Sequence, residues 1–311
     1  MATKPKTKIN YIAEARKRLD RIVVEVPQRK YFDLGNEALN AMLGKPGRGI
    51  FAGEIIELRG EPSAGKSALA GVLESIMVAS GGVAHHVDLE NSWDDEWMAT
   101  RGISREDINL IQPYVTLQKQ EKAESRKALI RQLKAQDPEV YAHMTVPNGA
   151  EILEEAETCL ALAYAEDPQR FQLLVVDSVA ALLPGEQLEI GLDQNMRSKM
   201  SLAVLLGDVL KQWTAKLMLY NTALVLINQL RINPMQHFGD NRVSPGGRSI
   251  EFFSHVRVGL TRTGKAREVK GYKVGIDGKA RVTKNKAGGP EGALYEFFLP
   301  FSDDPYDINA A

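Results

Sequence analysis

Residues 60–67 read Gly-Glu-Pro-Ser-Ala-Gly-Lys-Ser, a match to the pattern G-x-x-x-x-G-K-[ST]. With glycine near 7% of residues in ordinary proteins, such a match arises by chance in roughly one chain in a hundred of this length. The flanks narrow the fold further. Glu54–Arg59 is a short apolar strand pattern just before the motif, and Lys66–Ser80 has helical spacing just after it. A turn between strand and helix can aim its backbone N–H groups at phosphate oxygens, at the positive end of the helix. Gly60, Glu61, Pro62, Ser63, Ala64, Gly65 and Ala68 would form that cradle. Lys66 would reach the β- and γ-phosphates, and the Ser67 hydroxyl would ligate Mg²⁺.

The same alternation continues along the chain. Val83–Leu89, Asp107–Gln112, Leu173–Asp177 and Ala223–Asn228 read as strands, and Asp94–Gly102, Gly149–Tyr164 and Met196–Tyr220 as helices. Nearly continuous apolar strands between helices predict a parallel sheet covered on both faces. After Val256, strand patterns follow one another through glycine-containing turns, which predicts an antiparallel extension of that sheet. The expected fold class is therefore α/β, a mostly parallel twisted sheet with helices on both faces. Leu43–Gly53 reads as a loop. Residues 9–24 suggest one short amphipathic helix with a basic face, so residues 1–35 are expected to form a separate N-terminal element that packs on this chain or a neighbour. The core is expected over 36–301, with a charged insertion at 116–144 and a tail at 302–311.

Composition removes several alternatives. The 311 residues carry 39 Lys and Arg against 40 Asp and Glu, a net charge of −1, so bulk charge gives no case for nucleic-acid binding. Any such case rests on local patches. Residues 261–286 form one, with nine basic residues against Glu268 and Asp277, a segment of +7 in a chain whose remainder is −8. The single cysteine, Cys159, excludes an intrachain disulfide and a multi-cysteine metal site, and the five histidines show no zinc spacing. No apolar run reaches the length of a membrane span and the first ten residues lack a secretory core, so a cytoplasmic protein without membrane contact is expected.

Acids and an amide stand at the strand ends, where ligands bind in such sheets. Asp177 closes an apolar strand and would hold the magnesium shell. Asp88 and Glu90 end another, and either could polarise a water attacking the γ-phosphate; spacing does not choose between them. Asp94 and Trp97 could meet an adenine by hydrogen bond and stacking, although Trp97 would serve equally as ordinary packing. Gln229 could sense the γ-phosphate without adding charge. It opens Leu230–Gly247, a long loop whose Arg231, Phe238 and Arg242 suit single-stranded nucleic acid. A second loop, 183–195, leads into the long helix on the same side of the sheet.

These runs in this order resemble the RecA family of homologous-recombination ATPases over roughly residues 30–300. The resemblance is carried by GEIIELRGEPSAGKSALA, VDLENSWDDEW, LLVVDSVAALLPGEQLEIG, NTALVLINQLR, FGDNRVSPGGRSIEFFSHVRV and RVTKNK. It implies a RecA-like ATPase core that hydrolyses ATP with Mg²⁺, with ATP held between protomers of a helical filament on single-stranded DNA. Pairing with homologous duplex DNA, strand exchange, and a mediator or single-strand-binding protein as partner are implied with it. By motif, Glu90 rather than Asp88 takes the place of the catalytic glutamate, and Gln229 that of the γ-phosphate sensor. Asp94 and Trp97 fall at the adenine. Lys284 and Lys286 match two lysines that reach a neighbour's ATP. Arg231, Phe238, Gly246 and Gly247 match positions of the second DNA loop, and Lys211 matches a basic phosphate contact on the long helix.

There are departures. The phosphate loop reads Glu-Pro where bacterial members have Pro-Glu, residues 116–144 have no counterpart, and Glu251 stands where an interface lysine is usual. The sequence also stops soon after Phe301, before the family's C-terminal domain, which together suggests a divergent, bacteriophage-type member. Two other readings share the fold: a helicase-like motor, and a regulatory paralogue that binds ATP without exchanging strands.

Overall fold

The computed structural model describes residues 29–113, 148–183, 195–232, 242–243, 245–264 and 266–300. Its centre is a nine-stranded sheet. The strands β1 (Tyr31–Phe32) and β2 (Ile50–Phe51) form a small antiparallel ribbon around helix α1 (Glu37–Leu43). Next come β3 (Ile55–Gly60), α2 (Lys66–Ala79), β4 (Val83–Asp88), α3 (Asp95–Ala99) and β5 (Ile108–Ile111). They are followed by α4 (Gly149–Glu166), β6 (Gln172–Asp177), α5 (Asn195–Leu219) and β7 (Thr222–Gln229). A two-stranded ribbon, β8 (Arg231–Ile232) with β9 (Arg242–Val243), leads to α6 (Gly247–Phe253) and β10 (Val256–Arg262). The last strands are β11 (Arg267–Val269), β12 (Tyr272–Asn285) and β13 (Leu294–Pro300).

In the large sheet the order β10-β3-β7-β6-β4-β5 is parallel throughout. β12 runs antiparallel beside β10, and pairs in turn with β11 and β13. The expected parallel sheet with an antiparallel extension is what forms, with one correction: the first strand after Val256 belongs to the parallel part. Helix α6, within and just beyond the stretch read as a loop, carries the chain across the sheet from β7 to the far side of β3, and a crossover of that kind delivers a parallel strand. Ile50–Phe51 likewise forms a strand inside a run read as loop. Its two residues are too few to show a period, and their pairing with β1 decides the matter.

The alternation along β6 shows how the layers are built. Leu173 and Val175 face a core shared with α1 and α2, whereas Leu174 and Val176 face one shared with α4, α5 and α6. Both sets are fully buried, so the strand reads as a continuous apolar run rather than an alternating one. Among the described residues no helix is long and apolar enough to cross a membrane. The expected helix at 9–24, the insertion at 116–144 and the tail at 302–311 lie outside the described residues, as does nearly all of the loop at 183–195. Residues 30–34 already join the body, with the Lys30 carbonyl accepting the Ala52 N–H and Leu34 buried.

Gly60 marks the place where two backbones meet. A Cβ there would lie 2.3 Å from the Leu260 carbonyl oxygen of β10, an atom that cannot swing aside. We expect Gly60→Ala to cost about 1–3 kcal/mol of stability by forcing β3 and β10 apart, read as a fall in the midpoint of denaturant unfolding.

Candidate functional site

The phosphate loop leaves β3 at Gly60 and enters α2 at Lys66. Two residues with positive φ, Ser63 at +59° and Gly65 at +89°, turn the chain so that it wraps the helix start. Glu61, Pro62 and Ser63 are exposed, while Ala64 and Ala68 are buried against the core. The Lys66 ammonium is largely buried and donates to the Glu61 carbonyl oxygen at 2.8 Å, across its own loop. Burial lowers its pKa, against the opposing pull of Asp177 and Glu90.

Asp177 and Asp88 are paired neighbours at the carboxyl ends of β6 and β4, yet they do different work. Both oxygens of Asp88 are spent inside the protein. One accepts the Ser92 N–H at 3.0 Å, the other accepts the Trp93 N–H at 2.8 Å and the Gln112 side-chain amide at 2.7 Å. Burial acts against its charge, but these donors prevail and hold its pKa below the usual value. Asp177 has no such set. Burial raises its pKa, with the Ser67 hydroxyl bonded to it pulling the other way. A buried carboxylate beside a serine hydroxyl at the mouth of a phosphate loop is a hard oxygen donor pair, and it fits Mg²⁺, which keeps waters and phosphate oxygens for its other positions. Among the described residues no group of three His, Cys, Asp or Glu could hold a metal alone.

Near Asp177 lies a buried histidine–carboxylate pair for which composition gave no hint. His86 Nδ1 is 2.7 Å from Glu74 Oε1, and both residues are buried. Burial opposes the imidazolium, but Glu74, followed by Asp177 and Asp88, raises its pKa overall.

Strand β4 stops at Asp88, so Glu90 stands past its end and projects to solvent. Its Oε1 accepts the Gln229 amide at 2.8 Å and the Ser178 hydroxyl. Three strand ends, from β4, β6 and β7, thus converge on one carboxylate. Ser178 escaped notice in the sequence, although its place directly after Asp177 was the signal.

A cavity of about 420 Å³ opens beside Lys66 and Ser67, lined also by Trp97, Arg101, Arg262, Lys273 and Leu299. Asp94 caps α3 by accepting the Trp97 N–H at 2.8 Å. The Arg101 guanidinium sits 3.6 Å over the Trp97 ring, a cation–π contact one helical turn on. Arg101 was not singled out by pattern; its i+4 spacing from Trp97 was the available clue.

The remaining expected residues lie elsewhere. Lys284 is in register with Arg257 and Glu57, whereas the loop begins opposite Leu260 and Ala280. Along β12 that is an offset of roughly 13 Å toward the amino ends of the parallel strands, away from this chain's own phosphate loop. Its ammonium donates to the carbonyls of Glu251 and Phe252 at the end of α6; burial, then Lys286 and Arg257, lower its pKa. Lys286 follows two residues on, its N–H bonded to the His255 carbonyl. Arg231 and Arg242 stand on the two strands of the β8–β9 ribbon. Gly246 and Gly247, with φ of +87° and +66°, turn the chain into α6. Lys211 is exposed on α5 and pairs with Asp208 at 3.3 Å. Phe238 lies outside the described residues.

Comparison with known proteins converges on the same architecture. The family model described as RecA N-terminal domain matches residues 148–296, from α4 to β13. Protein RecA of Thermus thermophilus is 31% identical over 82% of this chain and 63% of its own length. Protein RecA of Aquifex aeolicus is 31% identical over 86% of this chain and 65% of its own, and that of Chlamydia trachomatis 28% over 82% and 60%. The chain thus spans somewhat less than two thirds of these curated relatives. Its sheet order, its phosphate loop and its matched sequence agree in assigning it to the RecA family.

Proposed function

We propose that this chain is an ATP-dependent DNA recombinase that forms filaments on single-stranded DNA and pairs that strand with a homologous duplex. The single observation that carries this reading is the Gln229–Glu90 hydrogen bond. It joins the residue positioned to activate water to the residue that opens the ribbon bearing Arg231 and Arg242. A triphosphate drawn into the loop offers Gln229 a competing acceptor. Occupancy would therefore pull Gln229 from Glu90, freeing the carboxylate to accept a proton from the attacking water. The same movement would re-aim the ribbon toward DNA.

Lys66 binds and orients the β- and γ-phosphates. Ser67 and Asp177 would hold Mg²⁺, which offsets phosphate charge when bound. Trp97 lines the cavity and would stack on an adenine there, and Asp94, which caps the same short helix, would hydrogen-bond it. Lys284 and Lys286, set off from this chain's own loop, serve a neighbour's nucleotide and stabilise charge on the transferring phosphoryl group. Residues 1–35 supply part of the contact between protomers. Lys211, Phe238, Gly246 and Gly247 belong to the DNA-facing surface, with a mediator or single-strand-binding protein as a further partner.

The test is steady-state ATP hydrolysis with and without single-stranded DNA, using Lys66→Ala as the blank, followed by strand exchange. Strong stimulation and exchange are expected. DNA-independent turnover would instead indicate a motor, and tight ATP binding without turnover a regulatory paralogue. Binding to single strands should weaken as salt rises, because each phosphate contact releases counterions. Loss of one contact in Arg231→Ala should flatten the slope of log K against log salt by about 0.7, measured by fluorescence anisotropy.

A further inference from the structure

Beneath the Gln229–Glu90 contact lies a buried polar network that the proposed reaction does not use. Glu57, at the middle of β3, is fully buried. Its Oε1 accepts the Asn228 side-chain amide of β7 at 3.0 Å, and its Oε2 accepts the Arg257 Nε of β10. One carboxylate therefore ties together the strands on both sides of it. Arg257, itself buried, extends its Nη1 to within 2.8 Å of Glu251 Oε1 on α6. The Asn228 amide is shared: it also donates to the Pro245 carbonyl at 3.1 Å, where the chain returns from the ribbon to α6. Lys284 then rests on the Glu251 and Phe252 carbonyls. The result is a continuous path from the residue next to Gln229 to the end of α6.

We propose that Glu57, Asn228 and Arg257 are positioning residues that couple the Gln229–Glu90 contact to the placement of α6 and of Lys284. This rests on the reading of Gln229 as the nucleotide-responsive residue. The physical basis is that the Asn228 amide nitrogen already serves two acceptors. Asn228 and Gln229 are consecutive on β7, so a shift of Gln229 toward a bound triphosphate displaces the Asn228 amide. That amide serves Glu57 and Pro245 together and cannot keep both acceptors if it moves. Glu57 and Arg257 form a buried ion pair, and stranding either charge is costly, so they travel together rather than separate. Through Glu251 and Pro245 the displacement reaches both ends of α6. Lys284, held on the last carbonyls of that helix, is thereby retained when the loop is empty and released toward a neighbour when it is filled.

The experiment is hydrogen exchange of residues 245–253 in the full chain, with and without Mg²⁺ and a non-hydrolysable ATP analogue, in the absence of DNA. Two variants accompany it: Asn228→Ala, and the double replacement Glu57→Met with Arg257→Met. Apolar replacement of a buried ion pair is commonly tolerated by the fold, so the second variant keeps the test alive if the first does not fold. In the unaltered chain the analogue should change exchange across α6 severalfold. In both variants the analogue should bind within about threefold of its original affinity, by fluorescent-nucleotide titration, and the α6 response should vanish. Restoring a donor with Glu57 intact, as Arg257→Lys, should recover part of it. A full α6 response in the double variant overturns the coupling, and so does an unaltered chain that binds the analogue without an α6 response. A chain that binds no analogue at all sinks the functional reading and this coupling together, whereas loss of DNA stimulation with an intact α6 response sinks only the functional reading.

Discussion

Glu90→Gln is expected to slow ATP turnover by roughly 10²–10⁴-fold, the usual worth of a positioned general base. Nucleotide affinity should hardly change. The replacement is close to isosteric and retains an oxygen at the position that accepts from Gln229 and Ser178, so the three converging strand ends keep their hydrogen bonds. What is removed is the capacity to take a proton. Single-turnover hydrolysis beside equilibrium binding of a fluorescent nucleotide separates the two effects. A variant with normal turnover would show that the attacking water is activated elsewhere. Asp88 is a poor substitute, because its oxygens are already committed to Ser92, Trp93 and Gln112.

Lys66→Ala should abolish measurable turnover and weaken ATP binding by about 10- to 100-fold, the equivalent of the roughly 1.5–3 kcal/mol carried by a hydrogen bond to a charged group. Its ammonium is held ready by the Glu61 carbonyl and faces Asp177 and Glu90 as its nearest opposing charges. Removing it leaves those carboxylates facing the phosphates without a fixed counter-charge. The loss should therefore exceed that of an exposed lysine and should persist at high salt, since buried charges are weakly screened. Titration at two ionic strengths distinguishes this from a surface effect. An affinity unchanged by the substitution would mean that triphosphates bind elsewhere.

The fold was legible where local pattern and tertiary environment agree. The strands β3, β4, β6 and β7 are buried on both faces, so their composition alone marks them, and the helices between them carry wide apolar faces. What escaped was decided by partners distant in the chain. Ile50–Phe51 is a strand because Tyr31–Phe32 lies beside it. Val256–Arg262 is parallel because α6 carries it across the sheet, a fact invisible in its own residues. The site divides in the same way. Lys66, Ser67 and Asp177 follow from motif and strand end. Choosing between Asp88 and Glu90 by spacing failed because the strand ends at Asp88, so the two do not share a strand face. Ser178 and the Glu57–Asn228–Arg257 network were hidden because each depends on contacts between strands widely separated in sequence.

The cavity beside Lys66 is walled by residues as far apart as Ser63 and Leu299, with the Phe297 ring close against Gly65. A nascent chain that has synthesised the phosphate loop still has no enclosed pocket for a nucleotide. More than two hundred further residues must emerge before β13 can close over α2. A nucleotide that occupies this cavity would therefore bind late in the life of each new molecule, and by binding the closed form it would stabilise those copies whose last strand has docked.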